Sequence, residues 1–149
     1  MKRQEGMTMV ELVVAVAVTG IIVIFLGTAI YQIITVSEYG NGRLTALHEL
    51  QNAAYWFNLD SQGARVATAG SQLILTLSDN STISYSLVGT ELRRASGGPQ
   101  MTLARNISSA NFSIINRIIT MSLTSSPAGR DAVSQNGTYM VSLRPAEGG

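Results

Sequence analysis

Residues 1–20 of the chain read MKRQEGMTMVELVVAVAVTG, and they place one carboxylate, Glu11, at the start of a long apolar segment. Residues 12–37, which follow it, carry no charged side chain. A helix of about 26 residues would be roughly 39 Å long. That length is enough to cross the hydrocarbon core of a bilayer, which is about 30 Å thick. The sequence therefore predicts a membrane-spanning helix with a single carboxylate near its beginning.

The overall composition limits the function classes that remain. The 149 residues carry a formal net charge of +1 and include no cysteine. The positive excess lies at the very start, where Lys2 and Arg3 are opposed only by Glu5. No basic field is therefore available to attract nucleic acid or to coat an anionic membrane surface. Without cysteine, a disulfide framework and thiolate metal sites are excluded as well.

Two general interpretations of the N-terminal segment stay open. A secretory signal peptide has a basic start and small residues near its cleavage site, here near Thr28 and Ala29, but its apolar core usually spans about 7–15 residues. A signal anchor with its basic end in the cytoplasm explains everything except Glu11. A carboxylate at the centre of a membrane helix costs about 2.5–3.5 kcal/mol and usually faces a protein partner. Nearer the helix end, Glu11 could instead reach the lipid headgroups.

A third interpretation accounts for every residue of the segment. MKRQEG followed by MTMVELVVAVAVTG resembles the N-terminus of type IV pilin-like proteins, in which a short basic leader ends in glycine and glutamate is the fifth residue of the mature helix. The resemblance implies that a prepilin peptidase cuts between Gly6 and Met7 and methylates the new N-terminus at Met7. Gly20 also lies where many members of the family have a glycine.

The family resemblance gives Glu11 a role in subunit register. After cleavage Met7 would carry a new ammonium, and the staggered helices of a filament would bring it towards Glu11 of another subunit. A misregistered subunit would leave both charges unpaired, which costs about 3–5 kcal/mol for buried pairs that lose one partner. The chain departs from many pilins in having Met7 as first mature residue, no helix-kinking proline and no cysteine pair. The last two absences favour a minor subunit.

Beyond the membrane segment, an apolar stripe predicts an amphipathic continuation of the helix to about Leu59. Its members recur at intervals of three or four and are Leu44, Leu47, Leu50, Ala54 and Phe57. Gly40 and Gly42, which each cost a helix about 1 kcal/mol relative to alanine, indicate a soft joint between the two halves. We expect Trp56, together with Leu50 and Phe57, to be the helix's contribution to a core.

After Asp60 the apolar period changes from 3.6 to 2. Alternation in 73–77 and 83–87, with Asp79 and Asn80 between them, predicts a β-hairpin. Further strands are predicted at 90–95, at 101–106, from Phe112, from Ile119 and from Tyr139 to Leu143. One apolar face per strand implies an antiparallel sheet laid on the helix. The prediction is a pilin-like α+β fold, in which the Ser-, Ala- and Gly-rich loop 125–137 is mobile.

Residues 82–124 carry a second resemblance. The order YSLVGTELRRA, GGP, LARNI and ITMSLTS is similar to that in minor pseudopilins of the J class and their relatives among minor pilins. Arg93 and Arg94 lie in this segment. They are candidates for a partner-facing patch, although charged residues that guard a strand edge are the more common use of such a pair.

No pattern in the chain indicates enzyme chemistry. It lacks a Gly-rich phosphate loop, paired metal ligands and a nucleophile with a plausible base. His48 stands alone, which favours a surface or packing role. Asp79, Glu91 and Asp131 are too scattered in sequence to indicate calcium, although three-dimensional clustering stays open. We expect no catalytic residue, no metal and no cofactor.

The predicted organisation is a leader at 1–6, a transmembrane helix at 7–37, an amphipathic continuation at 38–60 and a sheet domain at 61–149. The favoured function is a minor pilin or pseudopilin in the inner membrane, with an extracytoplasmic C-terminal domain. Its expected partners are the prepilin peptidase, other pilins or pseudopilins, an inner-membrane assembly platform and membrane lipid. The alternative is a single-pass anchored module that binds an extracytoplasmic ligand. Glu11 separates the two, since only assembly requires it.

Overall fold

A computed structural model of the chain describes residues 8–128 and 133–143. These residues contain one helix, α1 at Met9–Gly63, followed by eight strands. The strands are β1 Ala64–Ala69, β2 Gln72–Leu77, β3 Thr82–Val88, β4 Glu91–Ser96, β5 Met101–Ala104, β6 Ile107–Ile115, β7 Ile118–Ser125 and β8 Gln135–Ser142. All the strand pairs are antiparallel. The predicted α+β class, a long N-terminal helix followed by antiparallel sheet, is confirmed.

The chain divides into two compact units, Met1–Glu38 and Tyr39–Gly149. The described part of the first unit is the N-terminal portion of α1, and the second contains the rest of the helix and all the described strands. Gly40 and Gly42 lie just after the boundary, and α1 continues through both of them. The unfavourable helix propensity of these two glycines is therefore outweighed by the more favourable residues on either side.

The C-terminal portion of α1 buries a stripe that differs from the predicted one. Its buried members are Ala46, Leu50, Ala53, Phe57, Asp60 and Ser61. Leu50 and Phe57 are confirmed as core residues, and Trp56 packs against the core while partly exposed. Leu44 and Leu47, which belong to the apolar stripe of the sequence, are 57% and 36% exposed. At about 100° per residue, Leu44 lies roughly 200° around the helix from Ala46 and so on the opposite face. The sequence does not reveal this, because leucine is more hydrophobic than the alanines that are buried.

The first sheet has five strands in the order β1-β2-β3-β4-β5. The predicted hairpin is confirmed as β2 and β3, with Leu75 paired to Ile83. Its turn depends on Asp79, whose Oδ1 accepts hydrogen bonds from the Ser81 amide (2.9 Å) and hydroxyl (2.6 Å). Asn80 in the same turn adopts a left-handed φ of 64°, a conformation that asparagine tolerates better than most residues.

Strand β1 was not predicted. A shift in its register with β2 between Ala64 and Val66 indicates a β-bulge or similar irregularity. The residues of β1 that face the core are all alanines, namely Ala64, Ala67 and Ala69, while Val66 is exposed. A bulge breaks the period of two, and alanine gives only a weak apolar signal. The helix can end directly before this strand because Gly63 has no side chain, and a Cβ there would lie 3.1 Å from Leu77.

The remaining strands form a second sheet, in the order β6-β7-β8, instead of extending the first. The predicted fourth strand ends at Ala104, and Asn106 with a φ of 57° redirects the chain into β6. Backbone hydrogen bonds hold this corner, from the Ile107 amide to the Thr90 carbonyl (2.9 Å) and from the Ser126 amide to the Asn106 carbonyl (2.7 Å). The expectation of one sheet is therefore corrected to two.

The predicted loop 125–137 is shorter at both ends than expected. Ser125 is the last residue of β7 and is buried, and residues 135–137 already belong to β8. Residues 129–132 lie outside the described residues. The two sheets and the helix nevertheless share one apolar cluster, which includes Phe57 from α1, Tyr85 from β3 and Met121 from β7.

An ion pair lies inside this core, between the end of α1 and the first sheet. The Arg94 guanidinium donates to both oxygens of Asp60, from Nε at 2.6 Å and from Nη2 at 2.9 Å. The Tyr85 hydroxyl donates a third hydrogen bond to the same carboxylate, and the guanidinium lies 5.0 Å from the centre of the Trp56 ring. Asp60 is 6% exposed. A buried carboxylate with this many donors is compensated for the water that it loses.

The same contacts fix the protonation of the network. Burial, helped by the hydrogen bond to Asp60, raises the pKa of Tyr85 far above its usual value. The hydrogen bonds to Asp60 raise the pKa of Arg94. Tyr85 therefore stays a donor and Arg94 a cation at neutral pH, and the network joins α1, β3 and β4 through one carboxylate.

We predict that Asp60→Ala lowers the free energy of unfolding by about 3 kcal/mol, because Arg94 and Tyr85 lose their buried acceptor. Denaturant unfolding of the full chain in detergent micelles, followed by the fluorescence of Trp56, the one tryptophan, measures it. The matched control Asp79→Ala, in an exposed turn, should cost no more than about 1 kcal/mol. The triple variant Asp60→Leu/Tyr85→Phe/Arg94→Met, which removes the donors together with the acceptor, should recover most of the loss. Equal unfolding midpoints for Asp60→Ala and the parent chain would contradict this account.

Candidate assembly site

The first turn of α1 is held by a reciprocal pair of side chains, Thr8 and Glu11. The Thr8 amide and hydroxyl both donate to Oε2 of Glu11, at 2.9 and 3.0 Å. In return the Glu11 amide donates to Oγ1 of Thr8, at 3.3 Å. This arrangement is a capping box, with threonine at the N-cap and glutamate three residues later. It satisfies backbone donors that the start of a helix otherwise leaves without partners.

The capping box gives Glu11 a function that the sequence analysis did not assign to it. Its negative charge lies at the positive end of the helix macrodipole, which is the favourable end. Its carboxylate also has two donors within its own chain. Thr8 is the functional residue that was missed, although the spacing Thr-x-x-Glu was readable as a capping signal. Gly6 and Met7 lie outside the described residues, so cleavage and methylation there stay predictions.

After Glu11 the first unit presents apolar side chains in every direction. Large hydrophobic residues from Met9 to Val36 are at least half exposed, with Val10 at 72% and Phe25 at 70%. The helix is long and apolar enough, by length and composition, to cross a membrane. A helix that is hydrophobic all round needs an apolar surrounding, either lipid or other helices.

Hydroxyl groups in this apolar segment are satisfied inside the helix. Thr19 donates to the Ala15 carbonyl at 2.7 Å and Thr28 to the Phe25 carbonyl at 2.8 Å. Thr35 and Ser37 bond in the same way to carbonyls four residues earlier. Because hydrocarbon offers no partners to polar groups, these local bonds reduce the cost of placing hydroxyl groups in a membrane.

Arg93 and Arg94 do not form one patch, because neighbouring residues on a strand point to opposite faces. Arg94 faces the core and is engaged by Asp60. Arg93 faces outward and forms an ion pair with Glu91 at 2.9 Å. Hydrogen bonding from Arg93 is the main cause that lowers the pKa of Glu91, and Arg105 approaches the other Glu91 oxygen at 3.9 Å. Of the two predicted residues, only Arg93 lies on the outer face.

Metal binding finds no support among the described residues, which contain no group of three or more candidate ligands. His48 is exposed on α1. Asp79 accepts the turn hydrogen bonds from Ser81, and Glu91 is paired with arginine. Asp131 lies outside the described residues. The acidic residues considered for calcium are thus not brought together in the part of the chain that can be described.

One long N-terminal helix followed by antiparallel sheets is the pilin-like α+β architecture that the sequence predicted. Comparison with protein families agrees, since the model of the prokaryotic N-terminal methylation motif matches residues 1–27. The match shows that the N-terminal segment is similar to that of type IV pilin-like prepilins. It covers the leader and the apolar helix but not the sheets. No curated protein and no solved structure gave a significant match to the chain.

We predict that Thr8→Val loosens the first turn of α1, since an N-cap lost to an apolar residue costs about 1 kcal/mol. Amide hydrogen exchange of the full chain in micelles should become about fivefold faster at Glu11 and Leu12, whose amides donate to Thr8. Thr8→Ser keeps the hydroxyl and should retain the parent rate.

The matched control for this experiment is Thr19→Val. It removes a hydroxyl of the same kind, bonded to the Ala15 carbonyl in the middle of the helix, and should leave exchange in the first turn unchanged. If Thr8→Val and the parent chain exchange at the same rate, the capping box does not stabilise the helix start.

Proposed function

We propose that the chain is a minor pilin or pseudopilin. In this proposal it loses residues 1–6, is methylated at Met7, and assembles through α1 into a type IV pilus or a type II secretion-like pseudopilus. The observation that carries the proposal is the methylation motif at residues 1–27. The motif lies on an apolar helix whose first turn is held by the capping box of Thr8 and Glu11. Proteins with this motif are structural, and the proposed role is accordingly structural and not enzymatic.

Glu11 has two successive partners in the proposed assembly. In the single subunit, Thr8 satisfies the carboxylate with two hydrogen bonds, which reduces the cost of placing it near hydrocarbon. In the filament, the ammonium of Met7 on a neighbouring subunit supplies a full opposite charge. A charge-assisted hydrogen bond is roughly twice as strong as a neutral one. The correct register is then favoured over any register in which the ammonium is unpaired.

The proposal also states a location and a set of partners. The basic leader stays in the cytoplasm by the positive-inside tendency, so α1 spans the inner membrane and the sheet domain is extracytoplasmic. The prepilin peptidase, other pilins or pseudopilins, the assembly platform and membrane lipid are the expected partners. The similarity of residues 82–124 to J-class minor pseudopilins favours a minor subunit of a secretion-type assembly. Arg93, on the outer face, is the candidate residue for contact with a partner.

We predict cleavage between Gly6 and Met7 when the chain is co-expressed with a prepilin peptidase. Mass spectrometry of the purified product should show an N-terminus at an N-methylated Met7. A Gly6→Leu variant should remain uncut, because a side chain there obstructs the peptidase. An N-terminus at Met1 in the parent chain, or one near Ala29, would contradict the proposed processing.

We predict that Glu11→Val is processed normally but does not co-purify with partner pilins. Removing the charge lowers the cost of membrane insertion and takes away the partner of the neighbouring ammonium. Glu11→Gln separates the two functions of the residue, because glutamine can keep the capping box but carries no charge.

The measurements are the N-terminal mass and the amount of partner pilin that co-purifies with a tagged chain. Loss of association in both variants supports charge pairing. If Glu11→Gln co-purifies with partner pilins and Glu11→Val does not, Glu11 acts only through the capping box. If both variants co-purify normally, Glu11 has no role in assembly.

A further inference from the structure

Strand β8 is a sheet edge without the usual protection. Among the described strands it pairs only with β7, over the full length of Gln135–Ser142 and without a register shift. Its sequence QNGTYMVS contains no charged residue and no proline. Exposed edges of this kind invite pairing with another strand, and proteins normally block them with charges, bulges, proline or short length.

The other edges of the two sheets carry such protection. Edge strand β1 has the exposed Arg65 and a register irregularity after Ala64. Edge strand β5 is only four residues long, and its pairing with β4 shifts register after Leu92. Edge strand β6 has a register shift between Ile107 and Ser109. Since three of the four edges are blocked, the regular and uncharged β8 stands out as an edge available for pairing.

The direction of the free backbone groups follows from the register. Leu143, directly after β8, donates its amide to the Arg117 carbonyl at 2.8 Å, towards the β7 side. Amide direction alternates along a strand, so the odd-numbered residues of β8 donate to β7. Asn136, Thr138, Met140 and Ser142 therefore direct their amides to the open side.

The strands that form this sheet also carry no charge. None of the residues of β6, β7 and β8 is charged. The register places one set of side chains on the outer face: Ser109, Asn111, Ser113, Ile115, Ile118, Thr120, Ser122, Thr124, Asn136, Thr138, Met140 and Ser142. Met140 is 68% exposed. Depletion of charge is the mark of an interface core, whereas solvent-facing sheet normally carries charges.

We infer that β8 pairs antiparallel with β8 of a second copy of this chain, joining two three-stranded sheets into one of six strands. A two-fold axis is the commonest symmetry of such pairs and brings each strand against itself. A charged residue near the axis would lie close to the same residue of the second copy, and like charges across neighbouring strands are destabilising. A strand and neighbouring face with no charge meet that requirement. The inference does not depend on leader processing.

The test uses the full chain in detergent micelles. Since the chain has no cysteine, a spin label on Ser113→Cys reports only one site per copy. Ser113 lies on β6, so five strand spacings separate the two labels in the paired state, or about 24 Å. Pulsed electron paramagnetic resonance should detect this distance, and sedimentation velocity should detect a dimer.

Two variants identify the surface that forms the dimer. Met140→Pro removes an outward amide without touching the β7 ladder, a position where proline is tolerated, and should weaken dimerisation at least about tenfold. Met140→Lys should weaken it similarly by placing like charges near the axis, so the test does not depend on proline alone. The matched control is Thr120→Lys, on the same outer face one strand further in, and it should dimerise normally.

Each other outcome overturns the inference. A dimer broken by Thr120→Lys as much as by Met140→Lys means that the outer faces stack. A dimer that is insensitive to all three variants is held by α1. A monomer at all concentrations, with no distance near 24 Å, means that the edge is not a site for a second copy and is left for a different chain or for residues 144–149.

Discussion

A carboxylate that leaves water requires a partner, and this constraint acts at both ends of α1. At its start Glu11 is held by Thr8, and near its end Asp60 is held by Arg94 and Tyr85. The first carboxylate precedes an apolar segment and the second lies within a protein core, yet both are paired by residues from the same chain. What differs is the source of the donors, since a turn of helix supplies the first and two strands supply the second.

The hydrogen bonds from Thr8 lower the free-energy cost of placing the Glu11 carboxylate in a membrane. An isolated carboxylate in hydrocarbon would strongly favour any neighbour that relieves it. A carboxylate that already has two donors gains only the difference between those hydrogen bonds and a full ion pair. Under the proposed function, exchange of Glu11 between partners on neighbouring subunits would then be easier.

The sequence was sufficient for those parts of the fold that depend on local periodicity. The hairpin β2–β3, its Asp79 turn and the positions of Leu50 and Phe57 follow from apolar spacing and turn chemistry. It was insufficient for β1, where a register irregularity breaks the period and alanines fill the core positions. It also did not indicate that Ala46 and Ala53 are buried, because large apolar side chains such as Leu44 and Leu47 give a stronger signal than alanine.

The sequence by itself was sufficient for the methylation motif at residues 1–27, since Glu11 and the uncharged segment 12–37 are adjacent in the chain and their meaning depends on spacing alone. The tertiary structure decided how the strands divide between two sheets, which arginine of the pair Arg93 and Arg94 is buried, and which sheet edge lacks protection. Those features depend on contacts between residues far apart in the chain, such as Asp60 with Arg94. Strand alternation specifies which face of a strand is apolar, but it does not specify the neighbouring strand, because backbone hydrogen bonds are the same for every partner.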